Sequence, residues 1–178
     1  ASSFLDFYSG ERDVNYTVNT GNITINGGEL DINYGSESGS CSLLVNGNIQ
    51  INNNGYLIGA SYSNAHINIS VSGNLCLTRS NFMGVKSGNG NATIKINGNL
   101  IVQKSGTTYS EFYGIVDGNG NATVTIEGNF NNQGYSNLIW NTGITGVGNG
   151  NASLNVSGRF IQSDGDFRGT WNATTTNA

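Results

Sequence analysis

The chain of 178 residues contains no proline, one histidine and two cysteines. Proline removes a donor from a β-ladder, so its absence is consistent with a chain made of strands. The lone histidine, His66, has Asn64 and Asn68 beside it and no acid, which predicts a structural histidine rather than a Ser-His-Asp or Cys-His catalytic set. Cys41 and Cys76 stand at different positions of the repeat described below, which predicts two isolated thiols; a disulfide between turns is the alternative.

Charged residues are also scarce, with 7 Lys and Arg against 11 Asp and Glu and a net charge of -4. Without a basic stripe, neither nucleic acid nor an anionic lipid surface is an expected partner. No apolar run approaches the ~18 residues of a membrane span, so none is predicted. Polarity comes from Asn, Ser, Thr and Gly, a composition common in exported surface proteins. The start at Ala1, without Met or a signal-like stretch, predicts a processed product or an excised piece.

What the sequence does contain is a repeat. Six times an alternating apolar/polar run meets a Gly followed by Asn or Arg, at steps of 26, 26, 25, 30 and 30 residues. The first copy, at Gly21, is the weakest. The five junction glycines that align are Gly47, Gly73, Gly98, Gly128 and Gly158. A period of this length predicts a solenoid.

Three offsets from the junction glycine are apolar in every aligned copy: four before it, two before it and two after it. The residues are Leu43, Ile69, Ile94, Val124 and Leu154; Val45, Val71, Ile96, Ile126 and Val156; and Ile49, Leu75, Leu100, Phe130 and Phe160. Polar residues occupy the offsets between them. Each run is therefore predicted to be a strand with one buried face.

The junctions are predicted to be sharp corners, where Gly supplies backbone angles that a Cβ forbids. The residues after the glycines are predicted to form a ladder of amides bonded along the stack, which Arg159 breaks in the last copy; they are Asn48, Asn74, Asn99 and Asn129. In later copies the connection to the next turn is nearly verbatim, GNGNAT or GNGNAS. Its Ala is predicted to enter the core at the position of Cys41 and Ile67.

Each repeat ends in a less regular part, predicted to be the third side of a triangular coil: 56–59, 82–85, 112–115, 138–144 and 167–171. Three short strands per 25 to 30 residues, without helical periodicity, predict an all-β fold: a single right-handed parallel β-helix of about six turns. Its predicted limits are 14–171, between an N-terminal cap or linker at 1–13 and a polar tail or linker to further repeats at 172–178. Within the first segment, Phe4–Tyr8 is expected to cover the first turn.

Residues that carry chemistry are few. Asp164 and Asp166 flank Gly165, which permits a Ca²⁺ site but fits plain turn chemistry better. The Gly-Asn-Gly-Asn loops lack the helix and Lys of a phosphate cradle. Glu111, Asp117 and Glu127 fall in neighbouring turns at different offsets, so no polysaccharide-cleaving pair is predicted. The expectation is a protein without catalytic residues, metal or cofactor.

Three outward features suggest other roles. Thr93, Thr123 and Ser153 stack as in an ice-binding solenoid, but the neighbouring column mixes Leu44 with Lys95, which favours an ordinary solvated strand. The first residue of each Asn-Ala-Thr or Asn-Ala-Ser sequon is a candidate glycosylation site: Asn91, Asn121 and Asn151. Aromatic residues predicted to be exposed near the third side are Tyr56, Tyr62, Tyr109, Tyr113, Tyr135 and Trp140, of which the last four are the candidate sugar-stacking residues.

The runs GNATIKINGNLI at 90–101, GNATVTIEGNF at 120–130 and GNASLNVSGRFIQ at 150–162 resemble the β-solenoid repeats of large secreted surface proteins and adhesins of Bacteroidetes-type bacteria. The resemblance covers 22–169 and implies repeats inside longer exported chains, with no catalytic residues to transfer. It favours a noncatalytic extracellular solenoid: a rigid shaft or stacking subunit of a surface fibre, adhesin or matrix, associating end to end with like units. The alternative is a carbohydrate-binding, adhesive module that uses the exposed aromatics on surface glycans; ice binding and a polysaccharide-active enzyme are less favoured.

Overall fold

The computed structural model describes residues 4–8, 14–35, 38–62, 64–140 and 150–171. Over these ranges the chain forms nineteen strands in three parallel sheets, and no helix is present in them. The chain visits the sheets in a fixed order, so each circuit adds one strand to every sheet. The predicted all-β parallel β-helix is confirmed.

The three sheets are named A, B and C. Sheet A contains β1 (Phe4–Tyr8), β4 (Glu29–Tyr34), β7 (Tyr56–Ser61), β10 (Asn81–Lys86), β13 (Glu111–Val116), β16 (Tyr135–Trp140) and β19 (Asp166–Trp171). Sheet B contains β2 (Val14–Thr20), β5 (Gly39–Val45), β8 (His66–Val71), β11 (Ala92–Ile96), β14 (Ala122–Ile126) and β17 (Ala152–Val156). Sheet C contains β3 (Ile23–Asn26), β6 (Ile49–Asn52), β9 (Leu75–Thr78), β12 (Leu100–Gln103), β15 (Phe130–Asn132) and β18 (Phe160–Gln162). One strand from each sheet, in the chain order B, C, A, makes a rung, and there are six rungs from β2 to β19.

The interior of the coil is filled by the predicted apolar columns. Val45, Val71, Ile96 and Ile126 lie directly opposite one another on neighbouring strands of sheet B, and each is almost completely buried. The Ala92 and Ala122 methyls continue the column begun by Cys41 and Ile67, as predicted. In the sixth rung the burial decreases: Phe160 is 44% exposed whereas Phe130 below it is 1% exposed, because no described strand stacks on β18.

Sheet A is the predicted third side, with two differences. β16 begins at Tyr135, three residues before the predicted start at Leu138, and residues 141–144 of that prediction lie outside the described residues. Phe4–Tyr8 does not lie across the first rung, because β1 pairs in parallel with β4 and extends sheet A by one strand.

The predicted asparagine ladder is present, but its bonds differ from the prediction. Most are donated by a backbone N–H to a side-chain oxygen: the N–H of Asn74 donates to Asn48 Oδ1 at 2.8 Å, and the N–H of Asn99 donates to Asn74 Oδ1 at 2.7 Å. One amide-to-amide bond, from Asn99 Nδ2 to Asn74 Oδ1 at 3.1 Å, accompanies them. Arg159 therefore does not break the ladder, since its backbone N–H donates to Asn129 Oδ1 at 2.9 Å.

The junction glycines are needed for space rather than for unusual backbone angles. None of the five has a positive φ. A Cβ on Gly98 would lie 2.6 Å from both Asn74 Oδ1 and the Gly73 carbonyl oxygen, closer than real side chains approach. The left-handed backbone occurs instead at other corners, in non-glycine residues that include Arg79, Ser87 and Asp117. The predicted reason for glycine at the junctions was therefore wrong, although the corners are where the sequence placed them.

Candidate functional site

The outer face of sheet A brings chemically distinctive side chains together at its last three strands. In one column Glu111, Tyr135 and Asp166 lie opposite one another, and in the next column Tyr113, Asn137 and Arg168 do so. Parallel strands are spaced ~4.8 Å apart, so neighbours within a column are within reach of a single small ligand. Strand pairing therefore places two carboxylates, a guanidinium, an amide and two phenol rings on one surface.

These six side chains and Trp140 line a cleft of about 260 Å³. Small-molecule sites usually measure about 300–1,000 Å³, so this cleft is small and suits a ligand of one or two rings. It lies on the face of sheet A opposite the apolar core, which fixes the backbone beneath it. The cleft combines an aromatic surface with a few polar groups, which is the usual composition of a specific binding site.

The aromatic rings have different roles. The Trp140 ring packs on Tyr113 with centroids 4.8 Å apart and planes tilted by 38°. Tyr113 is 1% exposed, so its predicted exposure was wrong and its ring forms the floor of the cleft. Tyr135 is 38% exposed and Trp140 is partly exposed, and these two rings are available to a ligand.

Tyr109 supports the cleft from outside. Its ring lies 4.7 Å from the Tyr135 ring, tilted by 51°, and it does not line the cleft. It belongs to the connection from β12 to β13, where Ser105 and Thr108 form an isolated antiparallel bridge. Lys104 of the same connection forms an ion pair with Asp164 and lies 5.9 Å from the Tyr109 ring centroid. These contacts place the connection beside the fifth and sixth rungs, with Tyr109 packed against Tyr135.

Glu111 is held in a polar chain along the outer face of sheet A. With its amide oriented to donate, Asn81 Nδ2 lies 3.0 Å from Glu111 Oε2, and Asn81 Oδ1 lies 3.2 Å from the Tyr56 hydroxyl. The Tyr113 hydroxyl also hydrogen-bonds to Glu111. Burial raises the pKa of the Glu111 carboxyl, and the bond from Tyr113 acts in the opposite direction. The carboxylate is therefore oriented by protein donors and partly removed from water.

Asp166 and Arg168 form the other polar edge of the cleft. Arg168 Nη2 lies 2.6 Å from Asp166 Oδ2, so the two charges largely compensate each other. Asn137 lies between Tyr113 and Arg168 in the register, where its amide offers both a donor and an acceptor. A ligand in the cleft meets aromatic faces, carboxylate acceptors and an amide, a combination that suits a polyhydroxylated ring.

The other acidic candidates have partners of their own. Asp164 is paired with Lys104 and Asp166 with Arg168, so the Asp-Gly-Asp turn is held by ion pairs. Glu127 accepts from Ser157 Oγ at 3.0 Å, away from Glu111. In the part of the chain that the structure describes, no group of three or more His, Cys, Asp or Glu side chains is placed to hold a metal.

The candidate glycosylation residues belong to a second ladder at the corner where the chain enters sheet B, since each directly precedes a strand of that sheet. Asn121 N–H donates to Asn91 Oδ1 and Asn151 N–H to Asn121 Oδ1, both at 2.8 Å. His66 begins this ladder one rung earlier, since its Nδ1 accepts from the Asn91 N–H at 3.1 Å. The side-chain oxygens of Asn91 and Asn121 and the Nδ1 of His66 thus have structural partners, and glycosylation of the three asparagines stays a prediction.

Thr93, Thr123 and Ser153 are in register on the outer face of sheet B, as the sequence predicted. Their neighbours Lys95, Thr125 and Asn155 form a mixed column, so the face lacks a regular hydroxyl array.

Cys41 and Cys76 are free thiols on different sheets, and burial raises the pKa of both. Among the described residues there is no helix long and apolar enough to cross a membrane.

No protein-family model, curated protein or solved structure gives a significant match to this chain. The cleft geometry is consequently the main guide to function. Of the four sugar-stacking candidates predicted from the sequence, Tyr113, Tyr135 and Trp140 line the cleft and Tyr109 does not, whereas their neighbours Glu111, Asn137, Asp166 and Arg168 were not predicted. The signal was present in the alignment of the third strands, since Glu111, Tyr135 and Asp166 each begin a strand of sheet A.

Proposed function

We propose that this chain is a noncatalytic, extracellular β-solenoid that binds carbohydrate in the cleft on sheet A. The observation that carries the proposal is the cleft itself, in which Trp140 and Tyr135 offer partly exposed rings beside the polar groups of Glu111 and Asn137. Sugar rings have an apolar face that stacks on aromatic rings and hydroxyls that bond to carboxylates and amides. The coil supplies a rigid support for these groups.

Placement outside the cell is supported by composition and by the resemblance to secreted surface repeats. The chain is rich in Asn, Ser, Thr and Gly and poor in charge. Catalysis is not part of the proposal, because a glycoside hydrolase needs an acid and a base that both face one bond. Asp166, which lines the cleft, is paired with Arg168 and is therefore not a free base.

Replacing the exposed indole tests the proposal. Trp140→Ala is expected to weaken sugar binding at least about tenfold, because truncating a central aromatic anchor typically costs over ~1.4 kcal/mol. A glycan array supplies the ligand, and titration calorimetry measures the affinity. Trp140→Phe keeps a ring over Tyr113 and is expected to retain part of the affinity.

Tyr62→Ala is the matched control, because Tyr62 is 54% exposed and lies outside the cleft, packed edge-on against Tyr34. It should bind sugar like the unmodified protein. Equal affinity in Trp140→Ala and Tyr62→Ala, with both variants folded, would contradict a site at the cleft. An array without any bound glycan would contradict carbohydrate binding altogether.

A structural role as a stacking unit is the second candidate, and a different observation favours it. Phe160 and Ile161 on β18 are 44% and 39% exposed, so an apolar surface is left at this end of the described coil. Another parallel rung would bury Phe160, reduce the exposure of Ile161 and pair the free edges of β17 and β18. Such stacking is the mechanism by which a solenoid would build a shaft.

The stacking role predicts rods. Electron microscopy of concentrated protein is expected to show end-to-end filaments, and a Phe160→Glu, Ile161→Glu double variant is expected to reduce them to single units. Thr93→Glu, on the solvated face of sheet B, is the control and should still form filaments. Single particles at every concentration of the unmodified protein would argue against stacking and leave the binding role as the proposal.

A further inference from the structure

Glu111 is a carboxylate without a cationic partner among the described residues. The ion pairs in that part of the chain join Lys104 to Asp164 and Arg168 to Asp166. Glu111 is only partly exposed, and its known donors, Tyr113 and Asn81, are neutral. Since Asp166 is compensated by Arg168, the charge of the cleft is about that of Glu111 alone.

A partly desolvated negative charge beside aromatic faces favours a cation. Removing a carboxylate from water costs free energy that a nearby positive charge recovers. Aromatic faces attract cations as well when the cation lies within about 6 Å of the ring centroid. Both effects act at the same place here, because Glu111, Tyr113 and Tyr135 line one cleft with Trp140.

We infer that the cleft selects amino sugars that carry a free, protonated amine. This inference rests on the proposed function, because it names the class of sugar for the same site. The ammonium group sits beside Glu111, and the sugar ring stacks on Trp140 or Tyr135. The hydroxyls bond to Asn137 and to the edge formed by Asp166 and Arg168.

The same geometry disfavours the related sugars. An N-acetylated amine has no charge, so it gains nothing from the unpaired carboxylate. A uronic acid places its own carboxylate near Glu111 and meets repulsion, since like charges at short range in a partly buried site are unfavourable. A neutral hexose keeps the stacking and the hydroxyl bonds without the ionic contribution.

The test compares oligosaccharides of equal length made of glucosamine, N-acetylglucosamine, glucose and glucuronic acid. Affinities are measured by calorimetry at a pH at which the amine is protonated and Glu111 is ionised. The glucosamine oligomer is expected to bind at least about tenfold more tightly than the glucose oligomer. Glu111→Gln nearly keeps the size of the side chain and removes its charge, so the glucosamine and glucose oligomers are expected to bind this variant with roughly equal affinity.

Glu127→Gln is the matched control, because Glu127 is an exposed carboxylate outside the cleft. It should keep the full preference, and thermal melting checks that both variants are folded. Equal binding of the glucosamine and glucose oligomers, or an unchanged preference in Glu111→Gln, overturns the inference and leaves carbohydrate binding in place. Failure of every oligomer to bind overturns the proposed function as well.

Discussion

Ile96→Asp is expected to abolish cooperative unfolding of the coil. Ile96 is fully buried in the fourth rung, between Val71 below and Ile126 above in the same column. An ionised carboxylate at this position has only apolar neighbours, and the effective penalty for burying such a charge is several kcal/mol. Because the stability of a domain is typically about 5–15 kcal/mol, this single change removes much of it. Thermal unfolding followed by circular dichroism should show a broad, early loss of β-structure or no transition.

Lys95→Asp is the control on the same strand. Lys95 is exposed on the outer face of sheet B, and its neighbours in register are Ser70 and Thr125. The substitution introduces the same side chain one residue away, so its effect should stay within about 0.5 kcal/mol. A sharp, unshifted transition in Ile96→Asp would mean that this column does not face the core.

The apolar columns were predictable because every repeat keeps the same spacing around its junction glycine. The segment from Leu43 to Ile49, which contains the corner between the first two strands of a rung, has the same length in each of the five aligned copies. Alternation with a period of two then determines which side chains face inward. The ladder register follows from the same spacing, and the structure pairs these residues directly.

The cleft was not predictable in the same way, because the third strand does not keep a constant distance from the junction. Glu111 lies 13 residues after Gly98, whereas Tyr135 lies only seven after Gly128. The difference comes from the connection before β13, which contains the Ser105–Thr108 bridge. Glu111 and Tyr135 therefore lie at different distances from their junction glycines in the sequence, although the paired strands place them directly opposite each other. Strand pairing shows directly that Asp166 completes their column.

The burial of Tyr113 has a related cause. Alternation predicts that its side chain points outward, and it does lie on the outer face of sheet A. It is buried there because the Trp140 ring, from the next rung, covers it. Whether Tyr113 contacts Trp140 depends on the direction in which the two side chains lean along the sheet. The alternation of a strand with a period of two does not specify that direction.

The corners of this coil restrict which residues are tolerated as strictly as its core does, for a steric reason. At each junction the chain of one rung rests on the chain of the rung before it: the Gly98 N–H donates to the Gly73 carbonyl oxygen at 3.0 Å, and the Gly128 N–H to that of Gly98 at 3.0 Å. The Asn side chain beside each glycine occupies the remaining space, and its oxygen accepts the next backbone N–H. A side chain at the glycine position would compete with both bonds.

Gly98→Ala is therefore expected to destabilise the protein by about 3 kcal/mol. The new methyl would lie 2.6 Å from Asn74 Oδ1 and from the Gly73 carbonyl oxygen, so the two rungs must separate at this corner. Separation lengthens the Gly98 bond to Gly73 and the Asn99 bonds to Asn74, each of which contributes about 1 kcal/mol. Thermal melting should show a decrease of roughly 10 °C, given about 2–4 °C per kcal/mol for a chain of this size.

Gly21→Ala provides the opposite case at the first copy of the same motif. A Cβ on Gly21 would have no heavy atom within 4 Å, and its backbone is not left-handed. Here alanine only restricts the unfolded chain, so the melting temperature should stay the same or rise slightly. The two variants make the same chemical change at equivalent places in the sequence repeat, and they differ in whether a preceding corner lies beneath the glycine. Equal melting temperatures would show that close packing between rungs is not what requires glycine at the junctions.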